Sequence, residues 1–348
     1  MNKILELFGG IGACSKALER LGIEHEIVDY VEIDKYAVKS FNAIHGTNFE
    51  PQDITTWGKD IEVDLIMHGS PCQDFSLAGK QAGADKDSGT RSSLLYETVR
   101  IVGKLKPKYV IWENVKNVIS KKHKHNFDNY LQEMEQLGYT NYYQVLNAKD
   151  YGIPQNRERV FVISILKESV VYDDYNSNIR KDQDTIGTLT TNCGANAMRN
   201  GWKIIEHNQT FQFPPKQELK LRLKDMLEDE VDEKYYLSED IINKITIHKE
   251  NENCIQWDRI GGELEMWCRG WRNISPTVNT KCQNTKTILN EQPLRIRKLT
   301  PKECWRLMGF DDTDFEKASK VNSNTQLYKQ AGNSIVVNVL EAILKELL

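Results

Sequence analysis

The sequence predicts an α/β protein with a doubly wound, mostly parallel sheet, followed by a smaller, irregular and mainly β region. Short apolar runs alternate with helical patterns through residues 3–166, as is typical of a parallel sheet covered on both faces by helices. From about residue 171 the segments become polar or acidic and the alternation disappears. The strongly amphipathic segment 334–347 predicts a last helix that returns to the first domain.

Each predicted strand is a short apolar run, and each predicted helix has apolar residues spaced to cover one face. The strands are predicted at 3–8, 26–34, 63–70, 109–114, 141–148 and 159–166. The helices between them are predicted at 13–22, 35–46, 91–106 and 126–139. The acidic segment 221–240 is predicted to be helical, and Ser334 is predicted to be the N-cap of the last helix.

Length and composition narrow the class of protein. A chain of 348 residues can hold two domains, and its net charge of −4 argues against non-specific coating of polyanions while leaving room for a local basic cleft. The strand-like N-terminal run contains Glu6, so we expect no signal peptide, and no apolar run has the length of a membrane span. The seven cysteines show no C-x-x-C spacing, so we expect free thiols in the cytoplasm and no metal site.

A glycine-rich turn, "FGGIG" at 8–12, joins the first predicted strand to the first helix. Such a turn offers backbone N–H groups and close approach to a cofactor. Glu32 ends the second strand about twenty residues later, where an acidic side chain can accept ribose hydroxyls. Residue 15 is Ser15 rather than the third glycine of the dinucleotide fingerprint, which weakens a nicotinamide reading and leaves another adenosyl cofactor open. A purely structural tight turn is the alternative.

Polar and reactive side chains lie at the ends of three strands. α/β sheets bind their ligands outside the carboxyl ends of their parallel strands. Cys72 lies in "GSPCQDFS" after the third strand, and Glu113 closes the apolar run "YVIW". "QNRERV" places Arg157 and Arg159 just before the last strand, which must therefore run antiparallel if these groups share one rim. A thiol, a carboxyl of raised pKa and an arginine suit nucleophilic addition to an electron-poor ring. The alternatives are a buried structural cysteine and a glutamate that reaches solvent.

Five segments in this order resemble the motifs of the DNA cytosine-5 methyltransferases of bacteria and phages. They are "GSPCQDFS", "ENV" (113–115), "QNRERV", "RKLTPKECWRLMGF" (297–310) and "QAGNS" (330–334). The "FGGIG" turn is similar to the S-adenosylmethionine motif of that family, although Glu6 and Ala13 stand where Asp and Gly are commoner. The resemblance implies a Rossmann-like, S-adenosylmethionine-dependent methyltransferase fold with an antiparallel strand, together with a smaller, mainly β target-recognition domain.

The resemblance also implies the chemistry. The Cys72 thiolate would add to carbon 6 of a cytosine flipped out of the duplex, so that carbon 5 can accept a methyl group. Glu113 would engage the ring at N3 and the exocyclic amine, and Arg159 would stabilise the O2 side. Arg157 and Asn114 would hold this constellation. The cofactor, S-adenosyl-L-methionine, would be bound by residues of the turn and of neighbouring strand ends: Phe8, Gly10, Ile11, Gly12, Glu32, Ile33, Asp53, Ile54, Asn333 and Ser334.

The same resemblance divides the chain. Residues 1–170 and 325–348 would form the catalytic and cofactor-binding domain, and 171–324 the target-recognition domain and hinge, with site choice within about 172–292. The expected partner is double-stranded DNA, bound by a monomer in the cytoplasm at the nucleoid, and a cognate restriction endonuclease is not required for activity. The five basic residues of segment 294–306 are expected to contact phosphates.

The segment that follows the Cys72 motif is rich in glycine and in small polar residues. This segment, 78–93, carries Lys80, Lys86 and Arg91 and is predicted to be a mobile lid beside the flipped base.

There are two alternatives to a DNA cytosine-5 methyltransferase. The first alternative is a tRNA cytosine-5 methyltransferase, whose Cys-Phe-Thr tripeptide is absent here. The second is a non-catalytic DNA-binding relative, which should have lost one of the reactive side chains that this chain retains.

Overall fold

The computed structural model describes the first 173 residues apart from 72–93, the last 54 residues in full, and the region between them in part. The described residues are 1–71, 94–173, 179–180, 202–207, 210–238, 246–248, 255–260, 263–267, 274–275, 277–278, 285–289 and 295–348. Cys72 and the predicted lid at 78–93 lie outside the described residues, as does about half of 172–292. Among the described residues, no helix combines the length and the apolar character needed to span a membrane.

A six-stranded sheet in the order β2-β1-β3-β4-β6-β5 is formed by strands between residues 2 and 166. β1 to β4 are mutually parallel, whereas β6 is antiparallel to both of its neighbours, β4 and β5. The strands are β1 (Asn2–Leu7), β2 (His25–Val31), β3 (Leu65–His68), β4 (Tyr109–Val115), β5 (Tyr139–Asn147) and β6 (Glu158–Leu166). The predicted fold class is confirmed, and the antiparallel β6 sets its first residues beside the last residues of β4.

Eight α-helices are described around this sheet. They are α1 (Ala13–Leu21), α2 (Lys35–His45), α3 (Leu95–Leu105), α4 (Lys124–Gln136), α5 (Pro301–Arg306), α6 (Asp312–Ser319), α7 (Asn324–Asn333) and α8 (Val337–Leu347). Local signals account for several of their ends: Gly22 and Gly46 follow α1 and α2 with φ values of 66° and 68°. Thr300 caps α5, where its hydroxyl accepts from the N–H of Glu303.

Two apolar layers cover the two faces of the sheet because successive strand residues point to opposite sides. Ile4, Met67 and Ile111 face a cluster that also contains apolar residues of α1, α5 and α8. Ile66 and Trp112 face a second cluster with apolar residues of α3 and α4. The last helix therefore returns to the first domain, as predicted.

The middle region contains two further sheets. A three-stranded sheet has the order β8-β7-β9, and a five-stranded sheet has the order β10-β12-β11-β13-β14. Their strands are β7 (Glu168–Asp173), β8 (Ile179–Arg180), β9 (Trp202–His207), β10 (Thr246–His248), β11 (Ile255–Ile260), β12 (Glu263–Trp267), β13 (Thr285–Leu289) and β14 (Arg295–Lys298). The described part of this region is mainly β, as the sequence predicted.

The helix predicted at 221–240 is wrong. The described residues 221–238 contain only two short 3-10 turns, Leu223–Met226 and Glu233–Tyr235. The reason is tertiary: Arg306 donates to the carbonyls of Met226 and Leu227, and the N–H of Glu228 donates to the Glu303 carboxylate at 2.9 Å. Backbone groups that a helix would pair internally are used by side chains of the C-terminal region.

The N-cap predicted at Ser334 is also wrong. Ser334 follows the last residue of α7, and α8 begins at Val337 with Val336 as its N-cap. The Ser334 hydroxyl donates to the carbonyl of Ile335 at 3.1 Å instead of accepting from the first turn of α8. Residues 334–336 are extended because they cross between two helices at the edge of the cleft described below.

Candidate active site

The turn between β1 and α1 adopts backbone conformations that favour glycine. Gly10 and Gly12 have φ values of 57° and 80°, and Phe8 also has a positive φ, 53°. A Cβ on Gly12 would lie 2.8 Å from the Phe41 ring, whereas a Cβ on Gly10 would meet nothing within 4 Å. Gly12 is therefore required for close approach of α1 to α2, and Gly10 leaves open space at the turn.

Glu6 and Ser15, two of the three departures from common motifs, contact each other. The Glu6 carboxylate is buried and accepts hydrogen bonds from both the backbone N–H and the hydroxyl of Ser15. Burial raises the pKa of Glu6, although the bonds from Ser15 oppose that rise. Sequence reasoning treated the two positions separately, because nothing in their spacing indicates that one satisfies the other.

Glu32 lies at the end of β2, directly across from the glycine turn. Its carboxylate accepts from the N–H of Gly10 at 3.2 Å and from the N–H of Asp34 at 2.9 Å. Burial raises the pKa of Glu32. Ile33, the next residue in the sequence, is 69 % exposed, which is a large value for an isoleucine. An acidic group and an apolar surface thus lie together beside the turn.

The segment after α2 meets the same strand end. The N–H of Gln52 donates to the carbonyl of Glu32 at 2.9 Å, which brings Asp53 and Ile54 next to the end of β2. The Asp53 carboxylate accepts from the N–H and hydroxyl of Thr55, at 2.9 and 2.8 Å. The Ile54 side chain is buried in the core cluster that contains Trp112.

A cleft joins the cofactor candidates to a catalytic candidate. The glycine turn, the end of β3, the end of β4 and the residues between α7 and α8 line it. Among the predicted site residues, the lining includes Phe8, Gly10, Glu113, Asn333 and Ser334. The walls of this cleft come from both ends of the sequence, since its lining includes Glu6 and Ile335.

Glu113, which lines the cleft, forms an ion pair with Arg159. The Glu113 side chain is 11 % exposed, and the Arg159 Nε lies 3.1 Å from its Oε1. Burial raises the pKa of Glu113, and the positive charges of Arg159 and Arg157 partly oppose the rise. The antiparallel pairing of β6 with β4 makes this contact, because Arg159 is opposite Val115 in the ladder.

Arg157 connects three parts of the chain. Its guanidinium is buried and donates to the carbonyl of Val278 at 2.6 Å, to that of Gly332 at 3.2 Å and to that of Ser334 at 2.8 Å. These bonds orient the segment that carries Asn333 and Ser334 against the strand that carries Arg159.

Two side chains of β4 hold Ser70, two residues before Cys72. The indole N–H of Trp112 donates to the Ser70 hydroxyl at 3.0 Å, and the Asn114 amide donates to the Ser70 carbonyl at 3.2 Å. Asn114 was predicted from sequence, but Ser70 and Trp112 were missed. The signal available was the alternation of β4, which sets residues 112 and 114 on one face.

The phosphate contact predicted for segment 294–306 is wrong for Arg297, which is buried, and stays a prediction for the other four basic residues. Arg297 is buried in an ion pair with Glu303, Arg306 pairs with Asp312, and Lys302 lies 3.1 Å from Asp312. These cations neutralise acids of the same chain. Among the described residues, no group of three or more His, Cys, Asp or Glu side chains is arranged to hold a metal ion.

The motifs, the fold and the cleft agree with a comparison over the whole chain. The model of the family "C-5 cytosine-specific DNA methylase" matches residues 2–348. The chain belongs to this family. It is a DNA cytosine-5 methyltransferase, and the resemblance drawn from its motifs is confirmed.

Curated relatives of this methyltransferase come from bacteria and phages. The type II methyltransferase M2.ScrFI of Lactococcus lactis subsp. cremoris is 34 % identical, over 100 % of this chain and 99 % of the relative. The orphan methyltransferase M.SPRI of Bacillus phage SPR is 30 % identical, over 99 % of this chain and 97 % of the relative. The expected bacterial or phage type is therefore confirmed.

Solved structures share the fold at lower identity. A mutant of DNMT2 from Spodoptera frugiperda superposes with a TM-score of 0.65 at 20 % identity, covering 100 % of this chain and 99 % of that chain. The methyltransferase EhMeth of Entamoeba histolytica gives a TM-score of 0.67 at 16 % identity, covering 100 % and 98 %. At these identities the likeness shows the fold alone.

Proposed function

We propose that this methyltransferase acts on a cytosine flipped out of a specific double-stranded DNA sequence, through a covalent adduct between Cys72 and carbon 6 of the base. The observation that carries the proposal is the pairing of Arg159 with Glu113, which lines the same cleft as the glycine turn. A buried carboxyl beside an arginine suits a ring that changes its charge during reaction. In the sequence, Cys72 comes three residues after Gly69, which lines the same cleft.

The residues at the turn fit S-adenosyl-L-methionine. The open space at Gly10 leaves room for the cofactor beside the turn. The half-buried Glu32 carboxylate can accept ribose hydroxyls, and the exposed Ile33 offers an apolar surface for a base. We assign binding to Phe8, Gly10, Ile11, Gly12, Glu32, Ile33, Asp53, Ile54, Asn333 and Ser334. When bound, S-adenosylmethionine supplies the methyl group that carbon 5 of cytosine accepts.

The chain's own residues make carbon 5 reactive. The Cys72 thiolate adds to carbon 6, and the electron pair of the 5,6 double bond moves towards carbon 5 and the ring carbonyl. Glu113, whose raised pKa favours the protonated carboxyl, donates to N3, and Arg159 stabilises the charge that develops at O2. Loss of the carbon 5 proton then expels Cys72 and restores the double bond. Asn114 orients the Ser70 end of the Cys72 segment, and Arg157 orients the segment of Ser334.

The proposal assigns the remaining regions as follows. Residues 1–170 and 325–348 are the catalytic and cofactor-binding domain, and 171–324 are the target-recognition domain and hinge. Specific sequences are recognised by side chains against base edges, so a mainly β region separate from the cleft suits that role. The enzyme works as a monomer on DNA of the bacterial nucleoid in the cytoplasm and needs no partner nuclease.

Trapping tests the reaction. Duplex DNA that carries 5-fluorocytosine at the methylated position should form a stable adduct, because fluorine cannot leave as the proton does. Mass spectrometry should find the adduct on Cys72, and Cys72→Ser should lose both adduct and methyl transfer. Cys304→Ser, which changes a buried thiol of the core cluster that contains Ile4, is the matched control and should keep both. An adduct on a cysteine other than Cys72 would refute the mechanism.

Exchange of the recognition region tests the assignment of 172–292. A chimera that carries this region from a relative of different specificity should methylate the relative's sequence, as mapped by bisulfite sequencing. An active chimera that still methylates the original sequence would contradict the assignment. Parallel reactions on tRNA and on duplex DNA test the alternative substrate, and we expect methylation of DNA alone.

A further inference from the structure

Asp29 is a buried carboxylate that belongs to none of the groups assigned above. It lies in the apolar strand β2 and is 1 % exposed. A buried charge is costly unless it is fully paired, so its partners indicate what it does. The pairing of β1 with β2 shifts register between Ile4 and Leu5, where one residue of β2 is extra, and Leu5 is opposite Asp29. This bulge sets the orientation of Asp29 relative to the rest of the strand.

Three side chains donate to the Asp29 carboxylate, and all three come from one short segment. Gln52 Nε2 lies 2.9 Å from Oδ1, while Trp57 Nε1 and Lys59 Nζ lie 2.7 and 2.8 Å from Oδ2. Burial acts to raise the pKa of Asp29, but these donors outweigh it and the pKa lies below its usual value. The carboxylate is therefore ionised at neutral pH and holds both ends of segment 52–59.

Segment 52–59 carries Asp53 and Ile54, two residues that we assign to the cofactor site. It contains no helix or strand, and only Ile54 and Trp57 are buried within it. A segment with so few buried side chains opens easily unless specific bonds close it. Asp29 supplies such bonds to the segment. It lies three residues before Glu32 in the sequence, at the same strand end.

We propose that Asp29 is a positioning residue for S-adenosylmethionine: it keeps segment 52–59 closed against the end of β2 so that Asp53 and Ile54 are in place before the cofactor arrives. The inference rests on the proposed cofactor site. When only a fraction of molecules has the segment closed, the apparent dissociation constant rises by the inverse of that fraction. Asp29 thus acts on affinity for the cofactor and not on the chemistry of the base.

The test is calorimetric titration of the full chain with S-adenosylhomocysteine. Asp29→Asn puts an amide where three donors now find a carboxylate. The Kd should rise about ten-fold, or about 1.4 kcal/mol, which is within the cost of a buried donor left without its acceptor. Trp57→Phe removes one donor and keeps a ring in the core, so the Kd should rise in the same direction by less. The double variant should be no weaker than Asp29→Asn, because both changes remove the same bond.

Asp64→Asn is the matched control. Asp64 accepts from the N–H of Lys3 at 2.8 Å, at the end of β1 opposite the glycine turn, so its Kd should stay within two-fold of the wild-type value. Steady-state rates of Asp29→Asn should show a raised KM for S-adenosylmethionine and a wild-type kcat at saturation. Wild-type affinity in both Asp29→Asn and Trp57→Phe, with the wild type binding normally, would overturn the role of Asp29 alone. Absence of binding by the wild type would instead overturn the proposed cofactor site, and this inference with it.

Discussion

Glu303→Gln should destabilise the protein far more than loss of any exposed ion pair. Arg297 and Glu303 are 1 % and 0 % exposed, and two hydrogen bonds of 2.8 and 2.6 Å join them. The Glu303 carboxylate also accepts from the N–H groups of Glu228 and Thr300, at 2.9 and 2.8 Å. Glutamine keeps one oxygen for these donors but removes the charge that balances the buried guanidinium.

The magnitude follows from burial. Removal of one partner of a buried pair leaves an uncompensated charge and costs about 3–5 kcal/mol, against a total stability of about 5–15 kcal/mol for a folded domain. The pair of Arg306 and Asp312 has similar geometry, 2.7 Å for each of its two bonds, but its side chains are 25 % and 39 % exposed. Arg306 lowers the pKa of Asp312 to about 2, yet solvent screening limits such a pair to about 0–1 kcal/mol.

Urea denaturation followed by circular dichroism, with Asp312→Asn as the matched control, measures this difference. The midpoint should fall strongly for Glu303→Gln and little for Asp312→Asn, with equal slopes. Arg297→Met combined with Glu303→Gln should recover much of the loss, because neither charge then remains in the core. Equal losses for the two single variants, or no recovery in the double variant, would refute the assignment of the cost to an unpaired buried charge.

Three further outcomes are expected. Because Glu113 acts with its carboxyl protonated, kcat/KM should fall as pH rises through its raised pKa. Glu113→Gln should react about 10²–10⁴-fold more slowly and should no longer show this pH dependence, and a wild-type pH profile in the variant would exclude the role. Ser70→Ala leaves the buried Trp112 indole without its acceptor, so trapping by 5-fluorocytosine should slow about ten-fold with an unchanged KM for DNA. Ser70→Thr keeps a hydroxyl and should react at a near-normal rate, and equal slowing in both variants would exclude a role for the Ser70 hydroxyl. Limited proteolysis should cut within 78–93 in the free enzyme, and cognate DNA with S-adenosylhomocysteine should protect it; equal cleavage in both states would remove the lid.

Local sequence signals determined most of the sheet and of its ligand edge. Strands and helices of the first domain follow from apolar periodicity, and the glycines at 10 and 12 indicate a turn with positive φ. Glu113 stands out because a carboxyl closes an apolar strand. Even the antiparallel direction of β6 could be deduced, since Arg159 had to lie at the same rim as Glu113. Each of these signals is contained in a few neighbouring residues.

Only the tertiary structure decided which charges are satisfied and by what. The sequence alone could not separate the buried Arg297 from a phosphate-binding cation, because its partner and the segment around Glu228 meet only in the fold. Asp29 and Trp57 are 28 residues apart, and Arg157 and Ser334 are 177 apart. A periodic pattern reports which face of an element is apolar. It does not report which distant donor or acceptor that face will meet, and the cost of burying a polar group depends on that partner.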